Sequence, residues 1–379
     1  MPKQTWLLLD EMDNIRADDW SANMGPSSAC CRVLSGGKRE GIQQITLDNG
    51  CVAIEVLPTR GMGVWQAMRG NVPFGWKSPI RGPVHPMWVP IDEPSGLGWL
   101  DGFDEMLVRC GLTSNGAPEF DEHGRLKYPL HGRIANQPSH HVSLTADDDG
   151  TLQLIGVVDD TRFLFHSLRL TSRITLRPGS PEILIEDTVE NQSHNPATMQ
   201  LLYHLNFGPP VLDDGAEITV PADDVVARCP HAANSLDSWN RYGPPQAGSV
   251  EQVYFFQPRA DSDGFGHALL RNSKHSAAVH VAFDTKTLPC FTLWKNTSAM
   301  ADGDVTGLEP ATNYPNPHSF ESERGRVVQL EPFGSVTYRL RITCMNQSDE
   351  IEGAMSEINA LASPSPTLHH DPPPGWVAG

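Results

Sequence analysis

A chain of 379 residues carries 33 glycines and 32 prolines, about one residue in six, against roughly 12% in an average chain. Both residues break helices, which argues against a helical bundle. The 39% of apolar residues is enough for a sizeable core and excludes wholesale disorder. A net charge of −18 without a Lys/Arg cluster argues against nucleic acid or an anionic membrane as a partner.

Residues 1–35 are polar and mixed, and read as an N-terminal extension packed on the body through Trp6 and Trp20. The apolar run 7–9 is too short for the core of a secretory leader, and Asp10, Glu11 and Asp13 follow it directly. No stretch approaches the ~20 apolar residues that span a bilayer. The seven cysteines (Cys30, Cys31, Cys51, Cys110, Cys229, Cys290, Cys344) are odd in number and form no C-x-x-C pair. Neither a disulfide framework nor a zinc site is indicated, and a reducing cytoplasm is the expected compartment.

Strand signals begin near residue 42. Ile42, Ile45 and Leu47 lead into Asp48-Asn49-Gly50, and Val52, Ile54 and Val56 alternate after it, the pattern of a hairpin. Residues 73–102 break the pattern with six prolines and three tryptophans, Trp76, Trp88 and Trp99. So long an irregular segment is functional or disordered. The tryptophans favour order, either sealing one end of the domain or forming a wall for a sugar face. Further strands are predicted over 63–68, 152–158, 163–176, 182–190, 199–205, 217–220, 253–256, 277–283, 290–294, 327–330 and 336–342. Many short punctuated strands predict an all-β fold, a large antiparallel β-sandwich with few short helices. After the body at 36–345, Ser348-Asp349-Glu350 and the spacing of Ile351, Met355, Ile358 and Leu361 predict one short capped amphipathic helix within 346–362. Residues 363–379 form a Pro-rich tail, read as solvated or bound to a partner.

No phosphate-binding loop, dinucleotide fingerprint, nucleophile elbow or H-E-x-x-H motif is present, so any chemistry must be assembled from distant residues. Three islands qualify. The first is Leu130-His131-Gly132-Arg133-Ile134. The second is Leu201-Leu202-Tyr203-His204-Leu205-Asn206-Phe207-Gly208, where the strand period of two places His204 and Asn206 on one face. The third is Gly307-Leu308-Glu309-Pro310, in which the proline biases Glu309 to an extended backbone at a loop or strand end. A fourth piece, Thr59-Arg60-Gly61, is a turn with a single arginine just after a strand. Each residue also has an ordinary structural reading: His131 fixing a turn, His204 a satisfied core histidine, Glu309 an exposed loop carboxylate, Arg60 a turn salt bridge.

In order and spacing, the early Arg-Gly turn, the His131-Gly132 pair, the histidine in an apolar strand after Asn191-Gln192-Ser193-His194-Asn195-Pro196, and the late G-x-E-P resemble the aldose 1-epimerase, or galactose mutarotase-like, superfamily. More narrowly they resemble a bacterial branch without an assigned substrate. The resemblance covers roughly residues 35–345. It implies the galactose mutarotase-like supersandwich fold and a cofactor-independent, metal-free isomerase acting on a small-molecule sugar. It implies His204 as the general acid toward the ring oxygen and Glu309 as the general base toward the anomeric hydroxyl. His131 is then a substrate-binding residue, with Asn206, Arg60 and Arg133 as further contacts. The strand reads Tyr203-His204-Leu205-Asn206-Phe207, where better-known mutarotases have Asn-His followed by an aromatic-Phe-Asn. Their hydroxyl-binding aspartate has no evident counterpart here.

The chemistry is self-consistent. Anomer exchange needs a base at O1 and an acid at O5, and positioned proton transfer contributes about 10²–10⁴-fold. Imidazole near 6.5 and a carboxylate near 4.3 suit those roles. Three alternatives stay open at this stage: a non-catalytic carbohydrate-binding protein, a metal-dependent isomerase using His131, His204 and Glu309 as ligands, and a glycosidase, which would need a second carboxylate such as Asp101, Asp104 or Glu105.

Overall fold

The computed structural model describes residues 2–378. Two large sheets, of 10 and 14 strands, pack face to face around one continuous core. Among the described residues only three short α-helices occur, at Pro230–Ala233, His318–Glu323 and Ser348–Leu361. The molecule is an all-β sandwich. The predicted hairpin is present: Gln43–Asp48 pairs antiparallel with Ala53–Leu57, joined by the Asn49-Gly50 turn.

In the larger sheet, the strands that matter for function run in the order Gln252–Pro258, Cys290–Asn296, Val305–Ala311, Ala197–Phe207, Leu107–Leu112 and Gly63–Arg69. Their two faces have different fates. Leu201, Tyr203, Leu205, Leu293 and Leu308 point into the core shared with Leu154, Leu170, Ile185 and Leu340 of the smaller sheet. On the opposite face Leu202, Val108, Cys110 and Ala311 form a second apolar cluster with Trp99 of the Pro/Trp-rich segment 73–102 and with Phe103, which follows it directly. A strand covered on both faces loses the alternating pattern and reads as continuously buried. Leu107–Leu112 and Val305–Ala311 show this most clearly, all six residues of the first and all seven of the second being buried.

The two sheets are also bolted together by a buried ion pair. Arg109 of the larger sheet donates from Nε and Nη2 to the Asp187 carboxylate of strand Glu182–Asn191, at 2.5 and 3.0 Å. Ser172 accepts from Arg109 at 2.8 Å, and the Tyr203 hydroxyl donates to Asp187 at 2.9 Å. Both ionic side chains are fully shielded.

The structure differs from the sequence reading at several points. The first 35 residues supply strands to both sheets: Gln4–Asp10 joins the smaller one, and Asp19–Met24 with Ser27–Val33 extends the larger. Residues 163–165, predicted as strand, form the exposed tip of the hairpin between Leu152–Arg162 and His166–Leu176, where Leu164 adopts a positive φ of 69°. Helix Ser348–Leu361 buries Ile351 and Ile358 as its spacing required, but its N-cap is Gln347 and no side chain caps it. The Pro-rich tail lies on this chain's own body. Thr367–His369 adds a parallel edge strand to Ala222–Ala227, and Trp376 stacks on Tyr314 at 5.0 Å.

Candidate functional site

Strand register brings the two candidate catalytic side chains together. Ala197–Phe207 runs antiparallel to Val305–Ala311, with Leu205 opposite Leu308 and Asn206 opposite Gly307. The same register sets His204 opposite Glu309 on the face away from the main core. Their tips meet, with His204 Nε2 3.2 Å from Glu309 Oε1, and the side chains keep a residual 5% and 3% exposure. Gly307, two residues before Glu309 on the same face, makes the meeting possible. A Cβ there would lie 2.7 Å from Glu309 Oε1 and 3.0 Å from His204 Cε1. Thr292 flanks Glu309 on the next strand and is itself buried.

Aromatic rings enclose the pair. Phe103 and Trp294 each meet the His204 ring edge-to-face, at centroid distances of 5.1 and 5.4 Å, and Trp99 lies at 6.1 Å. His131 completes the enclosure, its ring perpendicular to that of His204 at 5.5 Å and 4.6 Å from Trp99. The turn that presents His131 is conformationally demanding, since His131 and Gly132 both have positive φ, 57° and 69°. A non-glycine residue in that region is sparsely populated and is held by its surroundings. Here Asn115 O fixes His131 Nδ1 at 2.8 Å. Gly132 must be glycine for a second reason: a Cβ would fall 2.2 Å from Ser114 O and 2.3 Å from Gly111 O.

Burial sets the protonation of these groups. It pushes the Glu309 carboxyl well above the usual carboxylate range, with the Glu251 charge adding to the shift and Arg228 opposing it. It pushes the His204 imidazole well below its ordinary value, helped by His131 and opposed by Asn206. His131 falls to about 4 for the same reason, desolvation outweighing its bond to Asn115. Both shifts at the central pair favour neutral forms, so His204 and Glu309 together hold one mobile proton.

The remaining predicted residues divide. Asn206 is fully buried beside the pair; its Nδ2 donates to Glu105 O at 2.9 Å and to His204 O at 3.2 Å, and its Oδ1 has no partner. Arg60 is 2% exposed, and its guanidinium is occupied by Glu105 at 2.5 Å, Asn136, and the carbonyls of Val84 and Gly102. It braces the backbone of Glu105, whose carbonyl holds Asn206 and Trp76, so it acts on the site through other residues. Arg133 forms a two-pronged ion pair with Asp92 of the covering segment.

Four buried polar atoms without a hydrogen-bond partner lie here, Trp99 Nε1, His204 Nδ1, Asn206 Oδ1 and Thr292 Oγ1, beside the Glu309 Oε1 that meets His204. Buried polar groups are nearly always satisfied, so such a concentration marks a place built to receive polar groups. Among the described residues no group of three or more His, Cys, Asp or Glu side chains is placed to hold a metal ion. Sequence reasoning quoted Gly307 only as part of a motif and missed Thr292 and Trp294. The period of two puts Gly307 on the face of Glu309, whereas Thr292 and Trp294 required the strand pairing.

The two-sheet sandwich is that of the galactose mutarotase-like proteins. Within that class the chain belongs to the family described as a domain of unknown function, DUF4432, whose model matches residues 39–344. A candidate aldose 1-epimerase from Klebsiella pneumoniae subsp. pneumoniae MGH 78578 is 30% identical, covers 97% of each chain and superposes with a TM-score of 0.92. Two more distant structures share the fold. A galactose mutarotase-like protein from Clostridium acetobutylicum is 15% identical over 87% of this chain and 99% of its own, with a TM-score of 0.57. A galactose 1-epimerase from Lactobacillus acidophilus NCFM is 12% identical over 84% and 98%, with a TM-score of 0.55. No curated protein matches.

Proposed function

We propose that this protein is a cofactor-independent carbohydrate isomerase that interconverts the anomers of a free sugar or sugar derivative. The observation that carries the reading is the 3.2 Å approach of His204 and Glu309. O1 and O5 of a cyclic sugar are bonded to the same carbon. An acid and a base serving both must therefore stand side by side, as these do. Glu309 removes the O1 proton while His204 delivers one to O5, and the C1–O5 bond breaks to give the open-chain aldehyde. Rotation about C1–C2 and reclosure with the proton transfers reversed yields the other anomer. The two side chains begin and end with one proton between them, so each turnover leaves the site unchanged. His131 and Asn206 supply polar contacts, and Trp99, Phe103 and Trp294 supply the apolar wall usual in small-ligand sites.

A second reading, a sugar-binding protein without catalysis, is favoured by the same burial: it stabilises the neutral carboxyl and imidazole against the charged forms that start the reaction. Polarimetry on freshly dissolved single-anomer sugars separates the two. The isomerase accelerates mutarotation of at least one sugar, and Glu309→Gln reduces that acceleration about 10²-fold or more while sugar affinity stays within a few-fold. A wild type that binds sugar without accelerating any anomer exchange favours the binding protein.

A further inference from the structure

Arg228 follows strand Ala222–Ala227 and continues its pairing, its N–H donating to Val253 O at 3.0 Å. Across the sheet Val253 pairs with Trp294, Trp294 with Gly307, and Gly307 with Asn206. Directly paired residues share a face, so Arg228 stands on the catalytic face, in one cross-strand row with Trp294 and Gly307. Three strand spacings, on the order of 14 Å, separate the backbones of Arg228 and Gly307. An arginine side chain reaching toward the pair leaves a hexose-sized interval, floored by Trp294.

The guanidinium is half-buried and makes no hydrogen bond or ion pair among the described residues. Arginine offers five N–H donors, and none of those of Arg228 is engaged by the described residues. Its charge is nonetheless felt at both Glu309 and His131. Glu251, whose charge also reaches Glu309, accepts from Trp294 Nε1 at 2.7 Å and does not pair with Arg228. A cation left free on the face of the His204–Glu309 pair is placed to receive an anion from the ligand.

We infer that the substrate is a monosaccharide carrying an anionic group away from its anomeric carbon, a carboxylate or a phosphate, and that Arg228 binds that group while C1 faces His204 and Glu309. The inference deepens the isomerase reading and rests on it for the catalytic pole of the ligand. The sugar lies across Trp294 with its charged end on Arg228.

Calorimetric titration of the full chain with galactose, galacturonate and galactose 6-phosphate, and with the corresponding gluco sugars, tests it. One of the two anions should bind about 10- to 100-fold more tightly than the neutral sugar, the range of one charge-assisted contact. Whichever anion gains identifies carboxylate or phosphate as the group recognised. Arg228→Gln should collapse that ratio toward one, and Arg228→Lys should restore part of it. Equal affinities in the wild type, a preference that survives Arg228→Gln, or no binding of any of the six sugars overturns the inference. Anomer exchange followed on the same samples keeps the two claims apart. Anion preference without exchange defeats the isomerase and leaves the anion site standing, whereas exchange without preference does the reverse.

Discussion

Gly307 shows how little space the chemistry leaves. The missing side chain is the gap in which the tips of His204 and Glu309 meet, and a methyl group would contact both. Gly307→Ala should therefore lower the anomer-exchange rate at least tenfold while leaving the far-ultraviolet circular dichroism of the sheets unchanged, since misplacement on this scale is costly to catalysis. A fully active Gly307→Ala protein would show that the pair does not work in this geometry. His131 makes a prediction about pH. Its folded value of about 4 lies below the ordinary 6.5, so between those limits an unfolded chain takes up a proton that the folded one refuses. Stability from this group is present above pH 6.5 and is lost as pH falls toward 4. Glu309 contributes with the opposite sign, since its raised value means stability is lost as pH rises. Melting temperatures of the wild type should accordingly fall more steeply from pH 7 to pH 5 than those of His131→Asn, and parallel slopes would contradict the assignment.

Strands declared themselves in the sequence wherever one face met solvent or a polar layer. Gln43–Asp48, Ala53–Leu57 and Leu152–Arg162 alternate visibly, and Asn49-Gly50 announced the first hairpin. The strands nearest the site were harder to see because they are covered on both faces. Leu107–Leu112 has no polar face to mark a period of two, and Glu309 is the middle of a wholly buried strand where Pro310 suggested a loop or strand end. Within the site, His204 and Glu309 stood out as charge-bearing residues in apolar or constrained settings. Arg228 and Thr292 did not, because only cross-strand pairing puts Thr292 opposite Glu309 and Arg228 in the row of Trp294 and Gly307. The role of Arg60 was likewise invisible: an Arg-Gly turn looks the same in sequence whether the guanidinium faces a ligand or, as here, Glu105 and backbone carbonyls.

At the scale of the molecule, the face that carries His204 and Glu309 rests on an opposite face packed into the core between the sheets. Arg109, which joins Asp187 of the other sheet, pairs across the strands with Tyr203 and is one residue from Val108, the cross-strand partner of His204. Removing one member of a buried pair strands the other charge at a cost of about 3–5 kcal/mol. Asp187→Ala should lower the denaturation free energy in urea by that amount, and Arg109→Met with Asp187→Leu should recover most of it. A single-variant loss under about 1 kcal/mol would mean that the pair is not what couples the sheets. On the reading proposed above, the task of the fold is to keep the His204 imidazole and the Glu309 carboxyl side by side among Trp99, Phe103 and Trp294. Exchange NMR on an equilibrated sugar anomer mixture tests that task most directly. Cross-peaks between the α and β anomeric protons are expected at catalytic protein concentration and should be lost in Glu309→Gln and in His204→Asn. Cross-peaks no stronger than in buffer, across neutral and anionic sugars alike, or equally strong in the two variants, would contradict it.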